Sequence, residues 1–265
     1  MGTLGKRLAS SAFLISITIF TIFFAPEWVF FLVVLSFSVL ALNEFFILAQ
    51  KKDIVINRYL GIFFGIALAF SMFFSAEAVV LATACLAIFI FNFHRSLRGQ
   101  ALISVAMTLF GIIYACWFFL HLLKIKSLPH GDFWVFYTIL LVKGGDAGAY
   151  FVGKKFGKIK LMEHISPNKS VEGACGGFLA TVILSLGSKV YLYSIPIFHL
   201  LWLGILLGVL SQLGDLAESL IKRDVGVKDS GQIPGLGGIL DILDSLILTI
   251  PFVYYYLITF HPPVP

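Results

Sequence analysis

The chain has 265 residues, 59% of them apolar and 12% charged, with a mean hydropathy of +0.99 and a net charge of +5. A soluble domain carries about twice that share of charge. The composition therefore excludes a soluble enzyme and leaves no soluble domain of useful size. It predicts an all-α, polytopic membrane bundle, because helices satisfy their own backbone groups in lipid.

The N-terminal stretch MGTLGKRLASSAFLISITIFTIFFAPEW has two basic residues and then an apolar run. The run is too long for a signal peptide and lacks a small-residue cleavage pair, so it predicts a first membrane helix. Lys6 stands where a myristoylation signal needs Ser or Thr. With that helix counted, nine spans of roughly membrane length run in order: 8–25, 28–50, 59–75, 77–93, 101–123, 133–152, 171–193, 197–221 and 239–260. The third and fourth are short and read as a helical hairpin. The whole chain reads as one membrane domain, with N-terminal spans over 1–130 and chemistry-bearing spans and loops over 131–265.

Sorting Lys and Arg by the side each falls on gives 16 on the N-terminal side and three, Lys124, Lys126 and Lys189, on the other. The bias predicts a cytoplasmic N-terminus and places the C-terminal HPPVP outside. Of 14 acidic residues, only Glu27, Glu77 and Asp132 fall on the far side. Charges of both signs thus gather on the cytoplasmic face, in 143–173 and 215–245. Cys85, Cys116 and Cys175 have no CxxC partner and the six histidines form no HxxxH or HExxH pattern. Neither a disulfide framework nor a zinc site is expected.

Three constellations could carry chemistry. In GDLAESLIKR, Asp215, Glu218 and Lys222 form one helical stripe at the end of the eighth span. In PGLGGILDILDS, Asp241 and Asp244 share a face in the first turns of the ninth, after a glycine loop able to bring bare amides to a ligand. In KGGDAGAYFVGKKFGKIKLMEHISPNKSVEG, Asp146 precedes a basic run, SPNKS reads as a turn, and Ser170 can cap the next helix ahead of Glu172. Carboxylates without His or Cys suit a hard cation such as Mg²⁺, and neighbouring Lys and Arg suit phosphates. The residues alone point to a metal–polyphosphate substrate. An ion-coupled transporter is the alternative, weakened by charges gathered at one face rather than at the midplane.

Over about residues 140–250 the chain resembles the phosphatidate cytidylyltransferases, or CDP-diacylglycerol synthases. The resemblance rests on DAGAYFVGKKFGKIKL, ISPNKSVEG, GDLAESLIKRDVGVKDSG and PGLGGILDILDS in that order. It implies condensation of CTP with phosphatidic acid, dependence on Mg²⁺ with room for a second cation, and an integral membrane enzyme of the bacterial inner membrane. By resemblance Asp215, Asp241 and Asp244 would be metal ligands and, with Lys169, catalytic. Asp146, Ser166, Ser170, Glu172, Glu218, Lys222, Arg223, Lys228 and Asp229 would contact substrate. Membrane lipids are expected partners, nucleic acid is not, and a homodimer is one assembly the resemblance allows. The chain departs from the family at Leu236, where a His belongs, at Ile242, where an Arg belongs, and by a one-residue gap before Pro234. A catalytically silent relative that binds anionic lipid is the reading those departures favour.

Overall fold

A computed structural model describes residues 15–93, 99–233 and 237–260. The fold is a helical membrane bundle. Residues 15–23 form the described part of helix α1. There follow α2 (Glu27–Gln50), α3 (Arg58–Ser71), α4 (Glu77–Phe93), α5 (Ala101–Lys126), α6 (Gly131–Phe156), α7 (Val171–Gly187), α8 (Ile197–Asp224) and α9 (Ile239–Phe260). Among the described residues six helices are long and apolar enough to cross a membrane: α2, α5, α6, α7 with its extension to Val190, α8 and α9.

That is fewer than the nine spans the sequence suggests. The third and fourth are short, as expected, and lie at Arg58–Phe74 and Glu77–Phe93. Seventeen helical residues rise about 25 Å, less than the ~30 Å of a bilayer's hydrocarbon core. Residues 8–14 of the expected first span lie outside the described residues, and the rest is helical as far as residue 23. The sixth runs on to Phe156, beyond its expected end at 152.

The bundle also holds a small antiparallel hairpin, β1 (Lys160–Met162) and β2 (Ser166–Ser170), which the all-α expectation missed. SPNKS is therefore strand rather than turn. Ser170 caps α7 as expected, its hydroxyl accepting from Gly173 N at 3.1 Å.

α6 packs closely on α7, and small residues make this possible. A Cβ added at Gly148 would stand 2.5 Å from Ala180 Cβ, and one at Gly177 2.9 Å from Ala149 Cβ. Without a hydrophobic force between helices in lipid, such close backbone approach supplies the packing. In α5 the regular spacing gives way to a π-helical turn over Ile112–Trp117, which buries Tyr114.

Contacts sort the helix ends into two faces. Lys52 pairs with Asp224 at 2.6 Å on one. On the other, Lys124 pairs with Glu77, and Lys126 reaches both Asp132 and Ile22 O. Residues the charge bias puts on one side thus meet on one side.

Candidate active site

α8 is 28 residues long. Asp215 lies about 27 Å along it at 1.5 Å per residue, so the final turns of α8 stand near the membrane edge. α9 starts on the same face and α6 ends there. Three helices therefore deliver their polar residues to one region.

At the mouth, Lys169 from β2 pairs with Asp215 at 2.6 Å, with side chains 27% and 31% exposed. Beside it, Lys143 pairs with Asp146 at 3.1 Å within α6. The Ser245 hydroxyl lies 3.2 Å from both Asp146 oxygens and 3.0 Å from Asp244 Oδ1, so its one proton serves two acids. Asp244 is buried and lies within electrostatic reach of Lys143, Asp215 and Asp146.

Deeper in, Lys222 bridges Glu218 and Asp241. Glu218 is fully buried and its Oε1 has no donor among the described residues; the Tyr114 hydroxyl, also buried, has no partner either. Asp241 is turned to the glycine loop. Its Oδ2 accepts from Ser230 N at 2.9 Å and Gly238 N at 2.6 Å, with the Ser230 hydroxyl 3.0 Å away.

The loop itself closes through Ile233 and Gly237, which exchange backbone hydrogen bonds of 2.6 and 3.1 Å. Gly237 has φ +84°, a conformation that favours glycine. The sequence suggests that the loop's bare amides face a ligand. In the structure those of Gly238, Ile239 and Leu240 go to protein carboxylates, Asp241 and Glu44.

The remaining predicted residues are more dispersed. Ser166 sits half-buried on β2. Glu172 accepts from Lys158 N at 3.0 Å and from Ile159 N, fastening the hairpin to α7. Arg223 donates to two backbone carbonyls, Ile165 O and Val227 O, each at 3.0 Å. Lys228 and Asp229 are exposed. Ile242 packs against the apolar core, whereas Leu236 and Pro234 lie outside the described residues.

Residue-level sequence reasoning singled out neither Glu44, Ser230, Ser245 nor Tyr114. Glu44 carried a readable signal: it is a carboxylate inside a 24-residue apolar helix, a place where ionisable groups are costly without partners.

The sequence profile of the cytidylyltransferase family matches residues 5–260. The chain belongs to the cytidylyltransferase family. Within that family it is similar to the phosphatidate cytidylyltransferase of Bacillus subtilis, at 45% identity over 151 residues, 56% of each chain. It is also similar to that of Staphylococcus saprophyticus, at 41% over 157 residues, 58% of this chain and 60% of the relative. A third, from Haemophilus influenzae, shares 42% over 133 residues, 48% of this chain and 46% of the relative. The matched stretches thus span about half the length of these curated relatives.

Whether this family member could hold a metal can be judged from its donors. Among the described residues no three His, Cys, Asp or Glu side chains converge closely enough to chelate an ion by themselves. Yet Asp146, Asp215, Glu218, Asp241 and Asp244 face Lys143, Lys169 and Lys222, an excess of carboxylate over ammonium. All-oxygen donors with that excess suit Mg²⁺, which commonly takes one or two carboxylates and completes its shell with water and substrate phosphates.

Proposed function

We propose that this protein is a phosphatidate cytidylyltransferase, joining CTP and phosphatidic acid to give CDP-diacylglycerol and pyrophosphate. The observation that carries the reading is the Lys169–Asp215 pair, half-open at the mouth of a cluster of alternating acids and bases. A water-soluble polyphosphate and a lipid phosphate need such a cluster at the end of a membrane bundle. The relatives' names support the same reading.

In the reaction, a phosphate oxygen of phosphatidic acid bonds to the α-phosphorus of CTP, and the bond to the pyrophosphate oxygen breaks. The attacking oxygen is already anionic, so positioning and charge neutralisation do most of the catalysis. Lys169, partly exposed on its strand, is placed to exchange the Asp215 carboxylate for a substrate phosphate. Lys143 adds a second positive charge beside Asp146 and Asp244. Ser166 and Ser170 flank Lys169 at the two ends of its strand. Arg223, Lys228 and Asp229 line the approach from the end of α8 to the glycine loop, with Lys222 buried behind it between Glu218 and Asp241. Mg²⁺, with a second cation allowed, would be held by Asp215 and Asp244, and by Asp241 where Lys222 yields it, and would neutralise phosphate charge as a Lewis acid. The acyl chains would lie in the bilayer beside the bundle. A cavity of about 350 Å³ lined by Phe45, Met107, Phe110 and Leu220, and rimmed by Lys52 and Asp224, opens near the site face.

The same reading has nine crossings of a bacterial inner membrane, the short α3 and α4 spanning it by local thinning of the bilayer, with N-terminus and site cytoplasmic. The 16-to-3 basic bias supports it.

Pyrophosphate release by purified protein in micelles tests the activity. Release should require CTP, phosphatidic acid and Mg²⁺ together and should fall at least ~100-fold in Lys169→Met, as loss of a charged contact to the reacting phosphate implies. Release without the lipid, or full activity in Lys169→Met, would count against the proposal.

A further inference from the structure

We infer that Glu44 of α2 is a positioning residue for the site, seating the glycine loop and, through it, Asp241 and Lys222. The activity arm of the test rests on the function proposed above; the structural arm does not.

A carboxylate in a membrane helix needs a partner. Glu44 finds its partners 195 and 196 residues away, accepting from Ile239 N at 2.9 Å and Leu240 N at 2.8 Å. These amides open α9 and have no partner within their own helix. The negative charge also faces the positive end of that helix. Glu44 therefore caps α9 from a different helix.

The loop is built around this carboxylate. A Cβ added at Gly231 would stand 2.6 Å from Glu44 Oε1, and one at Gly238 would collide with Glu44 Oε2 and the Ser230 hydroxyl. Glycines at these two positions are what allow the backbone to close over Glu44. The Ser230 hydroxyl is 2.8 Å from Glu44 and 3.0 Å from Asp241. Asp241 in turn binds Lys222, which binds Glu218.

A continuous chain thus runs from α2 through the loop to α8. Glu44 touches the loop and not the Lys169–Asp215 mouth, so its influence on the reaction is exerted through Ser230 and Asp241. The part of the chain that the sequence presents as plain membrane span supplies the anchor of the glycine loop.

The experiment compares wild type, Glu44→Gln and Glu44→Asp in detergent by hydrogen exchange and by turnover. In Glu44→Gln the amides of 230–241 should exchange at least ~10-fold faster, while those of the β1–β2 hairpin keep wild-type rates. A lost charged hydrogen bond corresponds to roughly 10- to 100-fold, so kcat should fall by that factor with little change in KM for the lipid. Glu44→Asp, which keeps the charge, should retain more activity than Glu44→Gln. Unchanged exchange at 230–241 would overturn the inference, as would faster exchange spread evenly over the bundle. If wild type shows no turnover, the proposed function fails and exchange alone decides this inference. If Glu44→Gln does not fold, Gly238→Ala attacks the same contact from the loop side. It should then raise exchange at 230–241, and wild-type rates there would overturn the inference.

Discussion

At the residue scale the two lysine pairs of the site should behave differently when cut. Lys169 and Asp215 are each about a third exposed, and such pairs contribute under about 1 kcal/mol to stability. Asp215→Asn should therefore leave unfolding in mixed micelles nearly unchanged and still abolish turnover. Lys222 sits between a fully buried Glu218 and a largely buried Asp241. Lys222→Met leaves two carboxylates without their cation, and removing one partner of a buried pair costs about 3–5 kcal/mol. The same denaturation assay should show that larger loss; equal losses in the two variants would contradict the assignment of one pair to the mouth and the other to the interior. The sequence made Asp215, Glu218, Lys222, Asp241 and Asp244 legible, because polar residues at helical spacing stand out against an apolar run. It did not show that Asp241 turns toward the loop and Asp244 toward α6. Both lie on one helix face, and only the tertiary neighbours separate them.

At the scale of elements, GGDAGAYFVG combines a glycine density and an acid, Asp146, that both lower helix propensity. The structure keeps the helix because α7 presents its own small residues there, so glycines that lower helix propensity permit close packing instead. The partner helix lies outside any local window, which is why the sequence alone understated α6. Gly148→Val should destabilise the bundle by about 1–3 kcal/mol through overpacking against α7. Turnover should fall as well, since Asp146 lies two residues away on the same helix. Thermal unfolding with a paired activity assay checks this, and a Gly148→Val protein as stable as wild type would refute the packing account. The hairpin was missed for a related reason. Its strands are three and five residues long, too short for alternation to appear, and Glu172 fastens it from outside.

For the whole molecule, the sequence separated the two faces through charge alone, and the ion pairs of the structure join residues that the bias had placed together. Span count was harder to read. The α3–α4 hairpin is apolar enough for the bilayer but short for it, and its shortness was already legible in the two brief apolar runs. Single cysteines at Lys158 and at Lys189, in a background with Cys85, Cys116 and Cys175 replaced, test the proposed topology. An impermeant maleimide should label position 158 only in inverted vesicles and position 189 only in right-side-out ones. Labelling of both from one side would break the alternation.

The most direct test of the central claim is to identify the product by mass spectrometry, after incubating purified protein with CTP, phosphatidic acid and Mg²⁺. The account predicts CDP-diacylglycerol from wild type and none from Asp215→Asn. Well-folded wild-type protein that binds phosphatidic acid yet forms no CDP-diacylglycerol would contradict it. That result would identify a silent relative, in which Leu236 and Ile242 depart from the His and Arg that the resemblance implies.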